Sequence, residues 1–426
     1  MDDREQRGLA LAALYRIEEQ DGKWVVPSQT GDGTKYVVDP DPEPPSCTCP
    51  DHRDRAIKCK HMFAVEFVQT RHREPDGTET VTRTFKVTEK VTYKQDWPNY
   101  NKAQTREKKM FQAILADLCR GVQEPPRSNR GRPPLPLADM VFSVAFKVYS
   151  TVSTRRFTCD LEDAAEKGFI QKAPHYNSVC NALEDPTLTP ILKALIIEAS
   201  KPLAAIETTF APDSSGFSTC RFIRWFDIKY GKTMSEREWV KIHVMSGVKT
   251  NIITAVEILD KNAGDAPQLP ALLATTAENF TIKEVPADAA YSSLVNLEAI
   301  EALGATPYVA FKENTTGGVG GVFAKAFHYY CAFKDEFLTH YHKRSNAEST
   351  FSMIKAKFGD GIRSRTDVAM VNEALCKLLC HNICCLIGST FELGIEAHFW
   401  REEAEKLTDV VGEPIVSDAV EAWGWV

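Results

Sequence analysis

Two groups of residues in this 426-residue sequence have the types and spacing to do chemistry. The first is a set of acids. Asp213 follows an apolar, strand-like run from Ile206 to Pro212, and Asp288 ends another from Thr281 to Pro286. Glu348 lies on a helical pattern from about Leu338 to Lys357. Carboxylates at the ends of adjacent strands and on a facing helix can converge on one point. Brought together they repel unless divalent cations neutralise them. Magnesium, a hard ion that prefers oxygen ligands, is the natural choice, with manganese as the alternative. Two such ions can activate a water or a 3′-hydroxyl and stabilise the leaving oxygen of a phosphodiester.

The second group is Cys47-Thr48-Cys49 followed, after nine residues, by Cys59-Lys60-His61. Three thiolates and one imidazole are the ligand set of a closed tetrahedral zinc site. His52 lies inside the loop and competes as fourth ligand, but His61 has the better paired spacing. So small a module has little core, so metal binding would supply much of its folding free energy. Cys376, Cys380, Cys384 and Cys385 also sit at helical spacing, within the apolar run from Ala374 to Ile387. They read as buried helix cysteines rather than a second metal site.

The helix expected to carry Glu348 holds a further pattern. Tyr341, Arg344, Glu348 and Lys355 fall within about 60° of one another on an ideal α-helix. Such a stripe makes a poor apolar face and a good one for gripping a phosphate backbone beside a metal-bound carboxylate. A solvated charged face with an ordinary Arg344–Glu348 pair at i,i+4 is the other reading.

The elements that must position these groups follow from pattern. Lys23 to Val26 and Lys35 to Val38 flank Gly31-Asp32-Gly33, which predicts a hairpin, and a proline-rich bridge leads from it to Cys47. Period-2 alternation from Thr80 to Val87 suggests an exposed strand or arm, and Arg106 to Leu118 an amphipathic helix. Glu124 to Pro134 is the clearest linker, and Leu137 to Leu203 reads as several short helices. From Ile206 onward strands dominate, with Arg221 to Phe226, Trp239 to Met245 and Ile252 to Leu259 beside the first, and then strand and helix alternate. That order predicts an α/β, RNase H-like core. The expected organisation is a zinc module over 1–69, a basic linker with a helix over 70–136, and a helical subdomain over 137–204 that suits DNA binding and plain packing equally. The α/β core follows over 205–392 and an acidic tail over 393–426.

Composition sets outer bounds. With 43% hydrophobic and 26% charged residues the balance is that of an ordinary globular protein. No uninterrupted apolar run reaches the roughly 18 residues of a membrane helix. The acidic start lacks an apolar leader, so the expected location is cytoplasmic, at the nucleoid, with no membrane partner. The net charge of −7 is no bar to nucleic acid, because acids gather at the ends and phosphate binding depends on local clusters.

Several motifs carry resemblances. The spacing Tyr341-x2-Arg344-x3-Glu348-x6-Lys355 is similar to the Y-R-E-K pattern of bacterial insertion-sequence DDE transposases. Ala211-Pro212-Asp213-Ser214-Ser215-Gly216-Phe217 and Ala287-Asp288-Ala289-Ala290-Tyr291 resemble that family's first and second aspartate motifs. Asn372-Glu373 and His381-Asn382 resemble pairs that follow its glutamate. The likeness covers about Leu137 to Ile387. It implies that Asp213, Asp288 and Glu348 bind two magnesium ions, and that Arg344 and Lys355 contact transposon-end phosphates. It further implies that Tyr341 packs near the scissile strand, and that the chain pairs ends as a homodimer or larger assembly. Fifty-nine residues separate Asp288 from Glu348, leaving room only for a small insertion between Lys312 and Phe333, so nicking and strand transfer are expected rather than hairpin processing. The expected partners are transposon terminal repeats and target DNA. A DNA-binding regulator derived from a transposon and a nuclease without strand transfer are the competing readings. Residues 21–68 resemble a SWIM zinc finger, which implies binding to DNA or protein through a zinc held by Cys47, Cys49, Cys59 and His61. Arg130-Gly131-Arg132-Pro133 resembles an AT-hook core, in which Arg130 and Arg132 would enter a narrow minor groove.

Overall fold

The computed structural model describes residues 3–28, 33–40, 45–69, 96–126, 134–219, 239–259, 263–312, 315 and 320–400. The alternation at 80–87, Arg130 and Arg132, the strand expected at 221–226 and the tail beyond 400 lie outside the described residues. So does most of the glycine-rich turn at 317–321. The chain divides into two compact units, Met1–Tyr93 and Lys94–Val426.

The first unit begins with α1 (Asp3–Leu14) and a four-stranded antiparallel sheet, β1 (Glu18–Gln20), β2 (Lys23–Pro27), β3 (Lys35–Asp39) and β4 (Ser46–Cys47). The predicted hairpin forms in the register Trp24↔Val38 and Val26↔Tyr36. Two short helices follow, α2 (Pro50–Arg55) and α3 (Lys60–Gln69). Val26 and Val38 turn inward to meet Leu11, Met62, Val65 and the three cysteines.

The second unit opens with α4 (Trp97–Cys119), α5 (Leu137–Ser150), α6 (Thr158–Glu166), α7 (Tyr176–Leu183) and α8 (Leu188–Ser200). Next come β5 (Phe210–Ser218), β6 (Trp239–Gly247) and β7 (Ile253–Leu259), all antiparallel. Then α9 (Leu269–Ala277), β8 (Glu284–Ala287), α10 (Leu294–Ala302) and β9 (Thr306–Val309) alternate, with β8 and β9 parallel. The chain continues through α11 (Gly321–Ala332), α12 (Lys334–Tyr341), α13 (Ser345–Phe358) and α14 (Asp367–Leu393). A parallel bridge between Thr209 and Glu284, with Lys283 N–H donating to Thr208 O at 2.8 Å, sets β8 beside β5. The five strands therefore lie in the spatial order β7-β6-β5-β8-β9. An antiparallel meander extended by parallel strand–helix units is the RNase H-like α/β arrangement read from the sequence.

Strand alternation sends side chains to two covered faces. Phe217, Ile242 and Val244 pack against α4, α5, α8, α13 and α14, whereas Phe210 and Met245 pack against α9, α10 and Phe323 of α11. Helix α4 is not a free linker helix. Its Phe111, Ile114, Leu115 and Leu118 are fully buried in the same cluster as the sheet and α14, and α5 to α8 join them there. The long helix expected from Leu338 to Lys357 is broken by a 3-10 turn, His342–Arg344, between α12 and α13. Helix α14 has the length and apolarity to cross a membrane, but 78% of its apolar window is buried inside this fold. It is the central core helix.

Candidate functional site

The strand β5 carries Asp213 at its centre, not beyond its end as the sequence suggested. The apolar run toward it starts as a loop, and pairing with β6 spans Phe210 to Ser218, with Asp213 opposite Val244. Asp213, Ser215 and Phe217 alternate onto the α13 face. Asp288 directly follows β8, as expected, and its Oδ1 accepts the Ala289 N–H at 2.6 Å, capping a short 3-10 turn, Ala289–Tyr291. Because β8 lies beside β5, both acids belong to neighbouring strands.

Glu348 is in the first turn of α13 with its side chain 61% exposed, and its Oε1 accepts from Arg344 at 2.6 Å. Arg344 Nε donates to the Tyr341 hydroxyl at 2.9 Å. The 3-10 turn explains this contact, because its i and i+3 side chains eclipse one another. The turn is anchored to β8: His340 Nδ1 and Lys343 Nζ both meet Glu284 Oε2, at 3.1 and 2.8 Å, and the His340 ring stacks on Tyr308 at 4.4 Å. Lys355, two turns further on, donates to Ser215 Oγ at 2.6 Å and lies over the Phe217 ring. Tyr341, Arg344 and Glu348 therefore partner one another, and Lys355 partners Ser215 of β5.

Helix α13 is fastened along its length. Asn346 donates to Val248 O at 3.0 Å, and Thr350 to Asn251 Oδ1 at 3.2 Å. Asn251 adopts φ of 60°, a left-handed turn position that asparagine tolerates, and its carbonyl accepts from His381 Nε2 at 2.8 Å. After α13, buried Lys377 holds the carbonyls of Gly359 and Gly361 at 2.8 Å each, and Ile362 N–H donates to Ser218 O. The pairs Asn372-Glu373 and His381-Asn382 are buried fasteners of α14 rather than groups in an open site. Asn372 donates to Leu183 O, Glu373 accepts from Arg363 and Ser364 N–H, and Asn382 brackets Ile253 N–H and O.

The acids sense one another electrically. Burial, with Glu348 and Asp265 adding to it, raises the Asp213 carboxyl to about 6, against the lowering effect of the Ser214 N–H and Arg344. Burial raises the Tyr291 phenol well above its ordinary range, with Asp265, Asp213 and Asp288 adding to the effect. No motif or spacing in the sequence points to Asp265. It sits in the loop before α9, where it accepts from Lys241 at 2.7 Å and Ser214 Oγ at 3.0 Å. Register alone brings these together, since Ser214 pairs with His243, and Gly216 with Lys241. Ser215 shares the face of Asp213 only because β5 runs on to Ser218, beyond the strand read from the sequence. An oxygen-only set of carboxylates suits a hard divalent cation. Among the described residues, however, the one group of metal-binding side chains whose donor atoms all lie within 4.8 Å is elsewhere.

That group is Cys47, Cys49, Cys59 and His61, all buried. Residue 47 ends β4, Cys49 caps α2, Cys59 precedes α3 and His61 is in its first turn. His61 Nδ1 lies 3.9 Å from both Cys47 Sγ and Cys59 Sγ. Tetrahedral zinc with thiolate and imidazole ligands gives sulfur–nitrogen edges of about 3.6 Å, so the cluster fits the ion. Hydrogen bonds from Cys47 and His61 push the Cys59 thiol below its ordinary range, while the bond to Cys59 and burial push Cys47 well above it. His52 turns away, its Nδ1 bonded to Ile57 O at 2.8 Å. The four helix cysteines form no metal cluster among the described residues; Cys376 and Cys380 are buried in the core.

The sequence profile of the family described as the transposase DDE domain matches residues 205–383. This stretch is similar in sequence to the DDE domain of transposases. The matched segment begins just before β5 and ends within α14, so it spans β5 to β9 and includes Asp213, Asp288 and Glu348. No curated protein matches the sequence. One similar solved structure is a cryo-EM structure of a piggyBac transposase synaptic complex with hairpin DNA. It aligns over 72% of this chain and 79% of that chain, at 9% identity and a TM-score of 0.34.

Proposed function

We propose that this protein binds transposon ends and carries out metal-dependent DNA strand cleavage and strand transfer through Asp213, Asp288 and Glu348. The observation that carries this reading is the placement of the acids: one at the centre of β5, one after the neighbouring β8, one on the helix fastened across β5. The three would hold two magnesium ions, which when bound supply an activated water or 3′-hydroxyl and a stabilised leaving oxygen. Asp213 must give up its proton to act as a ligand, and Arg344 favours that ionised form. Arg344 is held between the Tyr341 hydroxyl and Glu348. On exchanging Glu348 for DNA it would grip the phosphate beside the cleaved bond, and Lys355 a second one. Tyr341 then positions Arg344 and packs near the scissile strand. Pairing two ends calls for two or more copies of the chain. Cys47, Cys49, Cys59 and His61 form a structural zinc site of the SWIM type, separate from the chemistry.

Incubation of the full chain with magnesium and labelled terminal-repeat DNA tests the reading. Joined strand-transfer products are expected; nicks alone would reduce the activity to that of a nuclease, and binding alone to that of a regulator. Arg344→Ala and Lys355→Ala should each lower the salt dependence of end binding by about one unit of slope. Unchanged slopes and unchanged transfer in both would remove the phosphate grip.

A further inference from the structure

The first unit carries a cluster of charge that the cysteine–histidine site does not use. Helix α1 crosses α3 closely at Gly8, where a Cβ would meet the Phe63 Cβ at 2.5 Å and the Lys60 carbonyl oxygen at 2.8 Å. Only glycine permits that approach. The approach sets Arg4 and Arg7, one turn and one residue before Gly8, beside α2 and the start of α3. Arg4, Arg7, Asp51, Arg55 and Lys60 line one cleft of about 400 Å³. Asp51 sits between two guanidiniums, accepting Arg4 Nε at 3.0 Å and Arg55 Nη1 at 3.3 Å. One carboxylate thus aligns a pair of arginines, and the lining as a whole holds four cationic side chains to one anionic one.

We infer that this cleft seats backbone phosphates of DNA. The lining is wholly charged. A protein partner draws its affinity from apolar and aromatic anchors seated in pockets, which this cleft has no wall to receive. Phosphate recognition needs what is present: guanidinium forks held in place, and a compact ammonium as a point charge. Contacts of this kind read no sequence, so the cleft adds grip and position rather than base specificity. The choice of DNA over another polyanion rests on the proposed transposase activity; the phosphate site itself does not.

The test uses the full, zinc-loaded chain and a short fluorescein-labelled duplex of arbitrary sequence. Binding is followed by anisotropy across a salt series without magnesium, so that cleavage is not read. Arg4→Gln combined with Arg7→Gln should weaken binding severalfold and lower the salt slope by about two units, near one for each phosphate no longer neutralised. Lys60→Gln should lower it by about one, and the double Arg→Lys variant should retain most of it. Zinc content and melting are measured alongside. Should the double Gln variant lose zinc, Lys60→Gln, outside the Asp51 pair, decides alone. Wild-type affinity and slope in every zinc-loaded variant would overturn the assignment. So would loss of binding to labelled polyglutamate with DNA binding intact, which would give the cleft to an acidic protein. Neither result touches cleavage of terminal repeats, so this site can fail while the proposed activity stands.

Discussion

The cysteine–histidine group and the three proposed catalytic acids are built on opposite plans. Cys47, Cys49, Cys59 and His61 come from one short stretch of chain, are buried, and close to within 4.8 Å of one another. Asp213, Asp288 and Glu348 come from three distant elements, and Glu348 is mostly exposed and paired with Arg344. The cysteine cluster is part of its own hydrophobic core, so ligand and fold are one. The acids instead stand on a scaffold that other residues hold: Lys377, Asn382 and Glu373 fasten the helices and loops, while Asp288 and Glu348 are exposed and Asp213 is half-buried. On the proposed reading, a structural ion would be coupled to folding and a catalytic one to a frame that folds without it.

Zinc removal should therefore divide the molecule. Chelation, or Cys49→Ser, is expected to unfold the first unit, since structural zinc supplies on the order of 10 kcal/mol. Hydrogen exchange would show loss of protection in β2 and β3 with β5 to β7 unchanged. One zinc per chain retained by Cys49→Ser, or protection absent from both units, would break the contrast.

Two glutamates sharpen it. Glu373 is buried and accepts from Arg363 N–H, Ser364 N–H and Ser364 Oγ, so Glu373→Ala strands several donors and should cost about 3 kcal/mol. Glu348→Ala removes only an exposed i,i+4 pair, worth well under 1 kcal/mol, yet should end cleavage. Urea unfolding of both variants would show equal losses if the frame and the site were not distinct.

The smallest expected effect is on pH dependence. Burial lowers His381 from 6.5 to about 4, so the folded state holds it neutral while the unfolded chain takes up a proton first. Its contribution is complete above pH 6.5 and is lost as pH falls toward 4, by at most about 3 kcal/mol. Asp213, raised by burial to about 6, acts with the opposite sign: it lowers stability as pH rises from 3.8 to 6. Across pH 4 to 6.5, His381→Gln should flatten the rise in stability with pH, and Asp213→Asn should steepen it. Melting curves that respond to neither would mean that these environments differ from those described.

Much of the molecule is legible in its sequence where the signals are local. The C-x-C and C-x-H spacing picks out the four residues that the fold brings within 4.8 Å of one another, and the turn expected at Gly31-Asp32-Gly33 places β2 and β3 on either side. Asp288 is marked as a strand end by its own neighbours. What escapes depends on distant parts of the chain. Asp213 is mid-strand because pairing with β6, not the apolar run before it, sets the limits of β5. Asp265 comes into reach only through register. The 3-10 break before α13 arises where Lys343 and His340 reach down to Glu284, a contact that no helical period shows. The resemblance of Asn372-Glu373 and His381-Asn382 to family pairs says nothing of their partners, which for Asn372 and His381 include backbone groups of neighbouring elements.

The central claim is that Asp213, Asp288 and Glu348 make one metal centre that cuts DNA. Manganese uptake by the full chain with terminal-repeat DNA, read by electron paramagnetic resonance, tests it most directly. Wild type is expected to take up about two ions per chain beyond its zinc. Asp213→Asn, Asp288→Asn and Glu348→Gln should each lose that uptake together with nicking, while still binding DNA. Any one of the three that kept wild-type manganese uptake and wild-type nicking would contradict the assignment.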